Sequence, residues 1–259
     1  MTPSERKRKQ FIVALVFFLI LGGFGFLIYG KVNPAPTPTP ISPTANLSPI
    51  QVTLSELISV ENTDYDFVAK VTNPNTGYGS PEVVYEVSFF NSSNAQIFSK
   101  TGSFYILPGQ TKYVVDSPIR LPERATRAVM DINSVDWQEL DPLAMQGVPL
   151  LARNTSYTEI LNSGLFSRAN GSILNNSDFD LGRVDVMVVL LNSQNTPVAV
   201  NRTEINTFLA RTTRGFEVSW FAPFVGQVSR TDVEANTNIF QNSNFLRQYG
   251  GQERFKQLF

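Results

Sequence analysis

The fold of this chain is decided by the stretch Tyr65–Val71, which reads YDFVAKV. Apolar side chains stand at every second position, so Tyr65, Phe67, Ala69 and Val71 share one face of an extended segment. Side chains alternate across a β-strand, and a strand with one apolar face lies with that face on a hydrophobic core. The stretch therefore predicts a half-buried strand.

Beyond this stretch, the same alternation returns at 82–90, and turn sequences separate the apolar segments. NPNTG occupies 73–77, NSSN occupies 91–94 and LPGQ occupies 107–110, before another predicted strand at 111–115. The inward face of the 82–90 strand is predicted to comprise Val83, Tyr85, Val87 and Phe89. No apolar period of 3.6 residues is convincing after residue 50 until the C-terminal tail. The sequence therefore predicts an all-β protein after residue 50.

The pattern of strands and turns occurs twice. The segments that begin at 71, 89 and 107 recur in the same order at 173, 190 and 209, at offsets of 101 to 103 residues. Val184, Val186 and Val188 form the predicted inward face of the central strand in the second copy. Ordered matches at nearly constant spacing indicate a duplicated unit.

Each repeat has the dimensions of an immunoglobulin-like sandwich. About 90 residues with roughly seven short strands and turn signals every 8–12 residues are typical of that architecture. The sequence thus predicts two tandem immunoglobulin-like antiparallel β-sandwiches, at 51–138 and 152–241. Asp141-Pro142 and Gly147-Val148-Pro149 interrupt the pattern between them, so 139–151 is the predicted linker.

At these motifs the chain resembles the FxLYD-type domain, a small sandwich of bacterial and archaeal envelope proteins. The first repeat offers VTN, FFN and LPG at 71–73, 89–91 and 107–109. The second offers ILN at 173–175 and LLN at 190–192, whereas LAR at 209–211 lacks the Pro-Gly. In both repeats the Asp of the family signature is Asn. The resemblance implies a sandwich fold more than a function, because such folds host many roles.

The N-terminus predicts a membrane anchor. Four basic residues, at 6–9, precede an uncharged apolar run of 20 residues from Phe11 to Gly30. Twenty helical residues span about 30 Å, the thickness of a bilayer core, and basic flanks stay in the cytoplasm. The sequence predicts a cytoplasmic tail at 1–10 and a transmembrane helix over 11–30, with its span from Phe11 to Tyr29. A cleaved signal peptide is the alternative, but its apolar region is shorter and ends at a small-residue site.

A stalk is predicted between the anchor and the first repeat. Residues 31–50 contain the alternating sequence PAPTPTP at 34–40, and six prolines fall within 34–49. Proline-rich segments favour extended polyproline II, which rises about 3.1 Å per residue. These 16 residues would hold the sandwiches roughly 50 Å from the bilayer.

Composition excludes several chemistries. The chain has no Cys and no His, which rules out Ser-His-Asp triads, thiol nucleophiles, His/Cys zinc sites, lipoprotein anchors and disulfide-stapled folds. The triplet Asn176-x-Asp178-x-Asp180 is similar to the start of a calcium loop, but Gly182 comes one position late and Met187 replaces the bidentate Glu. No catalytic, cofactor-binding or metal-binding residue is predicted.

Charge argues against nucleic acid as a partner. Residues 51–150 carry 12 acidic and 6 basic side chains, and residues 151–259 carry 9 acidic and 10 basic ones. Neither half has the clustered cationic face that phosphate backbones require. The predicted partners are the lipid bilayer, through the N-terminal helix, and an envelope protein or polymer of unknown identity.

Two aromatic segments have open interpretations. Trp220, Phe221 and Phe224 lie close together near the end of a predicted strand, where they either pack in the core or form an exposed contact patch. In the C-terminal tail, 242–259, apolar side chains at 255, 258 and 259 fit one helical face. The tail is predicted to dock on the second sandwich as a short helix, to bind a partner, or to fray.

Taken together, the sequence favours a non-catalytic, membrane-anchored extracytoplasmic protein that presents two β-sandwich modules for adhesion or scaffolding in the cell envelope. A bitopic subunit of a larger envelope machine, for secretion, division or pilus-related work, is the alternative. An enzyme is the third class. It is disfavoured because a sandwich without long insertions rarely provides a catalytic cleft.

Overall fold

The computed structural model describes residues 47–140, 148–160 and 164–245. The predicted cytoplasmic tail, transmembrane span and stalk up to residue 46, and the tail after residue 245, lie outside the described residues. Within the described ranges no helix is both long and apolar enough to cross a membrane.

The described chain is built of antiparallel strands, as the alternating sequence predicts. In the described part of the chain, helix is limited to the short 3₁₀ helix Ile239–Gln241 and a helical turn at 243–245. The strands are β1 (Gln51–Glu61), β2 (Asp64–Thr72), β3 (Tyr78–Phe90), β4 (Gln96–Ile106), β5 (Thr111–Arg120), β6 (Arg127–Val135), β7 (Gln138–Glu139), β8 (Leu150–Glu159), β9 (Ser167–Asn175), β10 (Leu181–Leu191), β11 (Pro197–Phe208), β12 (Thr213–Trp220) and β13 (Arg230–Asn236).

The strands form four sheets whose order repeats along the chain. Residues 47–140, here the first half, form the sheets β1-β2-β5 and β4-β3-β6, with β7 paired to the start of β3. Residues 148–245, here the second half, form β8-β9-β12 and β11-β10-β13. Strands β8 to β13 thus reproduce the arrangement of β1 to β6, which agrees with the repeat read from the sequence.

A hydrophobic core lies between the two sheets of each half, as in a β-sandwich. In the first half Tyr65, Phe67, Val87 and Phe89 are all buried, and the rings of Phe67 and Phe89 meet edge to face at 6.5 Å. In the second half the three alternating valines of β10, at 184, 186 and 188, are fully buried. The predicted inward faces of these strands are confirmed.

The repeated motifs make the same hydrogen bonds in both halves. Asn73 and Asn175 are fully buried, and each backbone N–H donates across to the turn that precedes the next strand, at 2.9 Å to Gln110 O and 3.0 Å to Thr212 O. The side-chain oxygen of Asn192 accepts from the N–H groups two and four residues ahead, and so does the side-chain oxygen of its counterpart at position 91. The periodic Asn residues are therefore turn-forming residues.

The missing Pro-Gly of the second repeat has a structural substitute. Gly109 has a φ of 63°, in the left-handed region where glycine is favoured, and Arg211 occupies the matching position with a φ of 56°. The Arg211 guanidinium is bound to the Asp178 carboxylate at 2.9 Å and to the carbonyl of Asn176 at 3.1 Å. These contacts hold a non-glycine residue in a conformation that costs it free energy.

The prediction that β2 is half-buried is wrong. Val68, on the outer face of β2, is as completely buried as the inward Phe67. It belongs to a third apolar cluster, the inter-half patch, in which the outer face of the sheet β1-β2-β5 packs against the outer face of β11-β10-β13. The members of the patch are Ile58, Val68, Tyr113, Val115, Val189, Leu191 and Val200. All described residues consequently belong to one compact unit.

Each half has six long strands, and each strand runs opposite to the one before it. Because six is an even number, the chain enters and leaves each half at the same end. Ser48, just before β1, donates its N–H to the side chain of Asn75 in the β2–β3 turn at 2.9 Å. Contacts between Gln110 and Asn236, at 2.9 Å, place the corresponding ends of the two halves side by side. The residues that follow β13 pack there too, since Phe240 and Phe245 cluster with Tyr105.

Candidate functional site

The three aromatic residues singled out in the sequence have different environments. Trp220 is buried and donates its indole N–H to the carbonyl of Val200 at 3.0 Å. Phe224 packs on Trp220 and meets the ring of Phe166 at 5.2 Å. Phe221 is 76% exposed on the loop after β12, and the structure thus leaves one of the three at the surface.

The calcium-like segment is engaged in a turn contact. Asp178 binds the guanidinium of Arg211, as described above, and a carboxylate oxygen of Asp180 accepts the N–H of Ala210 at 2.8 Å. Within the described part of the chain, His, Cys, Asp and Glu side chains nowhere form a group of three or more able to hold a metal ion.

The border between the two halves is where polar side chains converge. Strand β5 is at the edge of its sheet, and its Tyr113 N–H donates to both carboxylate oxygens of Glu234 on β13 at 3.2 Å. The Tyr113 hydroxyl donates to Asp232 at 3.2 Å. These bonds satisfy an edge-strand N–H that would otherwise be open, and they flank the inter-half patch with carboxylates.

A lysine is buried close to this border. Lys112 is 5% exposed, its ammonium donates to the carbonyl of Tyr105 at 3.2 Å, and it lies 3.7 Å from the centroid of the Tyr105 ring. Burial lowers the pKa of Lys112 to about 8, against the nearby carboxylates of Glu234 and Asp185, which favour the charged form. Burial likewise raises the pKa of Glu234.

A second ionisable group is buried on the outer face of β2. Asp66 is 5% exposed, and burial raises its pKa to about 6, opposed by a hydrogen bond with Ser117 and assisted by the negative charge of Asp116. An acid whose folded pKa is raised stabilises the fold below its unfolded pKa. That contribution is lost as the pH rises from about 4 to about 6.

Two open grooves follow the border between the halves. The larger, here the Tyr105 groove, has a volume of about 530 Å³ and is lined by Tyr105 of the first half and by residues 180–185 and 237–244 of the second. The other has a volume of about 480 Å³ and lies beside Lys70, Tyr113 and Glu234. Both volumes fall within the range of about 300–1,000 Å³ that is usual for small-ligand sites.

Sequence reasoning did not find the groove residues, and a single sequence carries little signal for them. Tyr105 and Gln241 are more than 100 positions apart, and they meet only because the two halves pack on each other. Lys112 sits in an apolar strand sequence, TKYVV, and this is the one local sign that a charge is buried there.

Comparison with known proteins gives weak structural likenesses. No family model matches it, and no curated protein matches it. A crystal structure of red sea bream transglutaminase is similar over 74% of this chain and 29% of that chain, at 13% identity and a TM-score of 0.23. The calcium binding domain CBD12 of CALX1.1 is similar over 66% of this chain and 72% of that chain, at 13% identity and a TM-score of 0.19. The chain thus spans less than a third of the transglutaminase, and likenesses this weak carry no argument about function.

Proposed function

We propose that the chain is a non-catalytic, single-pass membrane protein that presents two tandem immunoglobulin-like sandwiches of the FxLYD type, for adhesion or scaffolding in a bacterial cell envelope. The sandwiches comprise 51–138 and 152–241, and the helix Phe11–Tyr29 holds them outside the cytoplasm above the proline-rich stalk.

The observation that carries this proposal is the packing between the two halves. Val68, Val189 and Val200 are buried at their contact, and the carboxylate of Glu234 bonds the backbone of β5 beside it. A buried apolar patch with satisfied polar groups fixes two modules in one relative orientation. Fixed relative orientation is what a scaffold needs in order to hold two partners, or two parts of one partner, at a set distance.

The sequence flanking the modules supports the location. The basic cluster at 6–9 favours a cytoplasmic N-terminus, and the proline-rich stalk gives an extended spacer outside the membrane. A protein that acts only within the bilayer has no use for such a spacer.

The location is tested by protease treatment of intact spheroplasts that make the full chain with tags at both ends. We expect a membrane-impermeant protease to remove the C-terminal tag and to spare the N-terminal one. Protection of the C-terminal tag refutes the orientation, and a mature protein that begins after Tyr29 refutes the anchor.

The scaffolding role is tested by crosslinking in living cells, followed by identification of the captured molecules. Replacing 34–43 with Gly and Ser, which collapses the spacer, is expected to weaken capture while the halves stay folded. If the variant captures the same molecules in the same amount, and their crosslinks lie within 11–30, the spacer has no role in capture. That result would favour a subunit that docks through its transmembrane helix.

A further inference from the structure

The Tyr105 groove contains polar groups that the fold itself does not use. Tyr105 is 8% exposed, and its buried hydroxyl oxygen has no hydrogen-bond partner among the described residues. A buried hydroxyl without a partner is uncommon in native structures and calls for an explanation. The side chains of Gln241 and Asn244, which are exposed on the opposite wall, likewise make no hydrogen bond within the described ranges.

The charges of the groove exclude an anionic ligand. Arg183 is the single cation among the residues that line it, and its guanidinium is already paired with Asp185 at 2.8 Å and Glu204 at 3.1 Å. Asp180 adds a further negative charge to the wall. Phosphate, sulfate and acidic polymers would therefore meet no uncompensated positive charge.

The remaining lining groups favour a ligand rich in hydroxyls. They are mainly amides and hydroxyls, which donate and accept hydrogen bonds without carrying charge: Thr237, Asn238, Gln241, Asn242, Ser243 and Asn244. The side chains of Thr237, Asn238 and Asn242 already bond within the fold, so Gln241, Ser243 and Asn244 are the ones that face a ligand. A lipid or an apolar peptide side chain would leave these groups without partners at a cost in free energy. A sugar carries hydroxyls around its ring, and each can both donate and accept a hydrogen bond.

We propose that the Tyr105 groove binds a neutral saccharide segment, which names the class of the envelope polymer in the function proposed above and rests on that function for its biological setting. The amides of Gln241 and Asn244 hold sugar hydroxyls at the rim. The Tyr105 hydroxyl is closed to solvent in the free protein. It gains a sugar hydroxyl as its hydrogen-bond partner when the bound sugar displaces the side chains that cover it.

The groove can be blocked without disturbing the fold. A side chain built at Gly182, which lines the groove on β10, has no other atom within 4 Å of its Cβ. Gly182→Ile therefore adds a branched side chain to the lining of the groove, in a residue type that suits a strand. Gly215→Ile is the matched control, because Gly215 lies on strand β12 away from the groove and its nearest neighbour is a backbone oxygen at 3.8 Å.

The test is calorimetric titration of the full chain in detergent with neutral tetrasaccharides of glucose, mannose and N-acetylglucosamine, alongside tetra-alanine and inorganic phosphate. We expect at least one tetrasaccharide to bind wild type and Gly215→Ile equally. Gly182→Ile should abolish that binding. Tyr105→Phe and the pair Gln241→Ala with Asn244→Ala should each weaken it about tenfold, the change expected for loss of a hydrogen bond of about 1.4 kcal/mol.

The proposal is overturned if no tetrasaccharide binds, if Gly182→Ile binds as wild type does, or if tetra-alanine or phosphate alone binds. It is also overturned if Tyr105→Phe lowers the urea midpoint of the unliganded protein, since its hydroxyl would then already have a partner. Titration of the purified chain does not depend on topology. A failure here is thus distinct from a failure of the protease experiment in spheroplasts.

Discussion

At the scale of single residues, two buried asparagines hold the turns to neighbouring segments. The side-chain amide of Asn73 donates to the carbonyls of Tyr78 and Leu107, at 2.7 and 2.9 Å. The amide of Asn175 donates to Phe179 O at 2.8 Å and Leu209 O at 3.1 Å. Each asparagine thus ties three segments of one half together, and its loss leaves buried carbonyl groups without donors.

Asn175→Ala is expected to lower the free energy of unfolding by about 1–3 kcal/mol, the usual cost of leaving buried polar groups unpaired. Urea denaturation followed by circular dichroism measures the change. Asn192→Ala is the matched control, because Asn192 makes its turn bonds in an exposed hairpin. A loss at position 175 no larger than that at 192 would contradict the role of the buried amide.

The asparagines were visible in the sequence because they recur at a fixed offset, although their hydrogen bonds were not. The bond from Lys112 to the carbonyl of Tyr105 also recurs, since Arg214 donates to the carbonyl of Thr207 at 3.0 Å. The repeat does not record burial, because Lys112 is 5% exposed whereas Arg214 is exposed. The repeat records these turn-forming residues because both halves use the same turns. It does not record a groove whose walls are more than 100 residues apart.

At the scale of elements, strand β2 illustrates what alternation can and cannot predict. The inward face through Phe67 follows from a period of two, because the core lies on one side of the sheet. The outer face holds the apolar Val68 between the charged Asp66 and Lys70, so the pattern there looks solvent-exposed. Its burial comes from Val189 and Val200, far along the chain.

Phe67→Ala is expected to cost about 3–5 kcal/mol of stability, as is usual for removing a fully buried aromatic ring. Phe98→Ala serves as the comparison on an edge strand. Phe98 contacts Phe89 with ring centroids 6.0 Å apart, but it is 39% exposed. The two free energies of unfolding are compared in urea, and equal losses would mean that Phe67 is not part of the core.

At the scale of the whole molecule, the inter-half patch couples the two cores. The chain has one tryptophan in each half, Trp137 packed against the first core and Trp220 buried in the second. In the Trp220→Phe variant, the fluorescence of Trp137 therefore reports on the first half. In the Trp137→Phe variant, the fluorescence of Trp220 reports on the second half.

We expect both reporters to give the same urea midpoint, because separating the halves would expose the patch to water. Ile58→Glu places a charge at the patch, where Ile58 is 9% exposed, and should separate the two midpoints. Ser59→Glu, at the neighbouring exposed position, should leave them together. Different urea midpoints in the two single-tryptophan variants that carry neither Ile58→Glu nor Ser59→Glu would show that the halves unfold independently.

The even number of long strands in each half has a consequence for how such a protein grows. When the first and last strands of a unit meet the chain at the same end, a tandem copy lies beside the first copy. Duplication of the gene segment therefore widens the protein and does not lengthen it. In tandem modules with an odd number of strands, the chain enters at one end and leaves at the other, so the modules follow one another end to end. In the membrane-anchored arrangement proposed above, the distance between the modules and the bilayer would therefore be set by the proline-rich segment, whose length can change without altering either core.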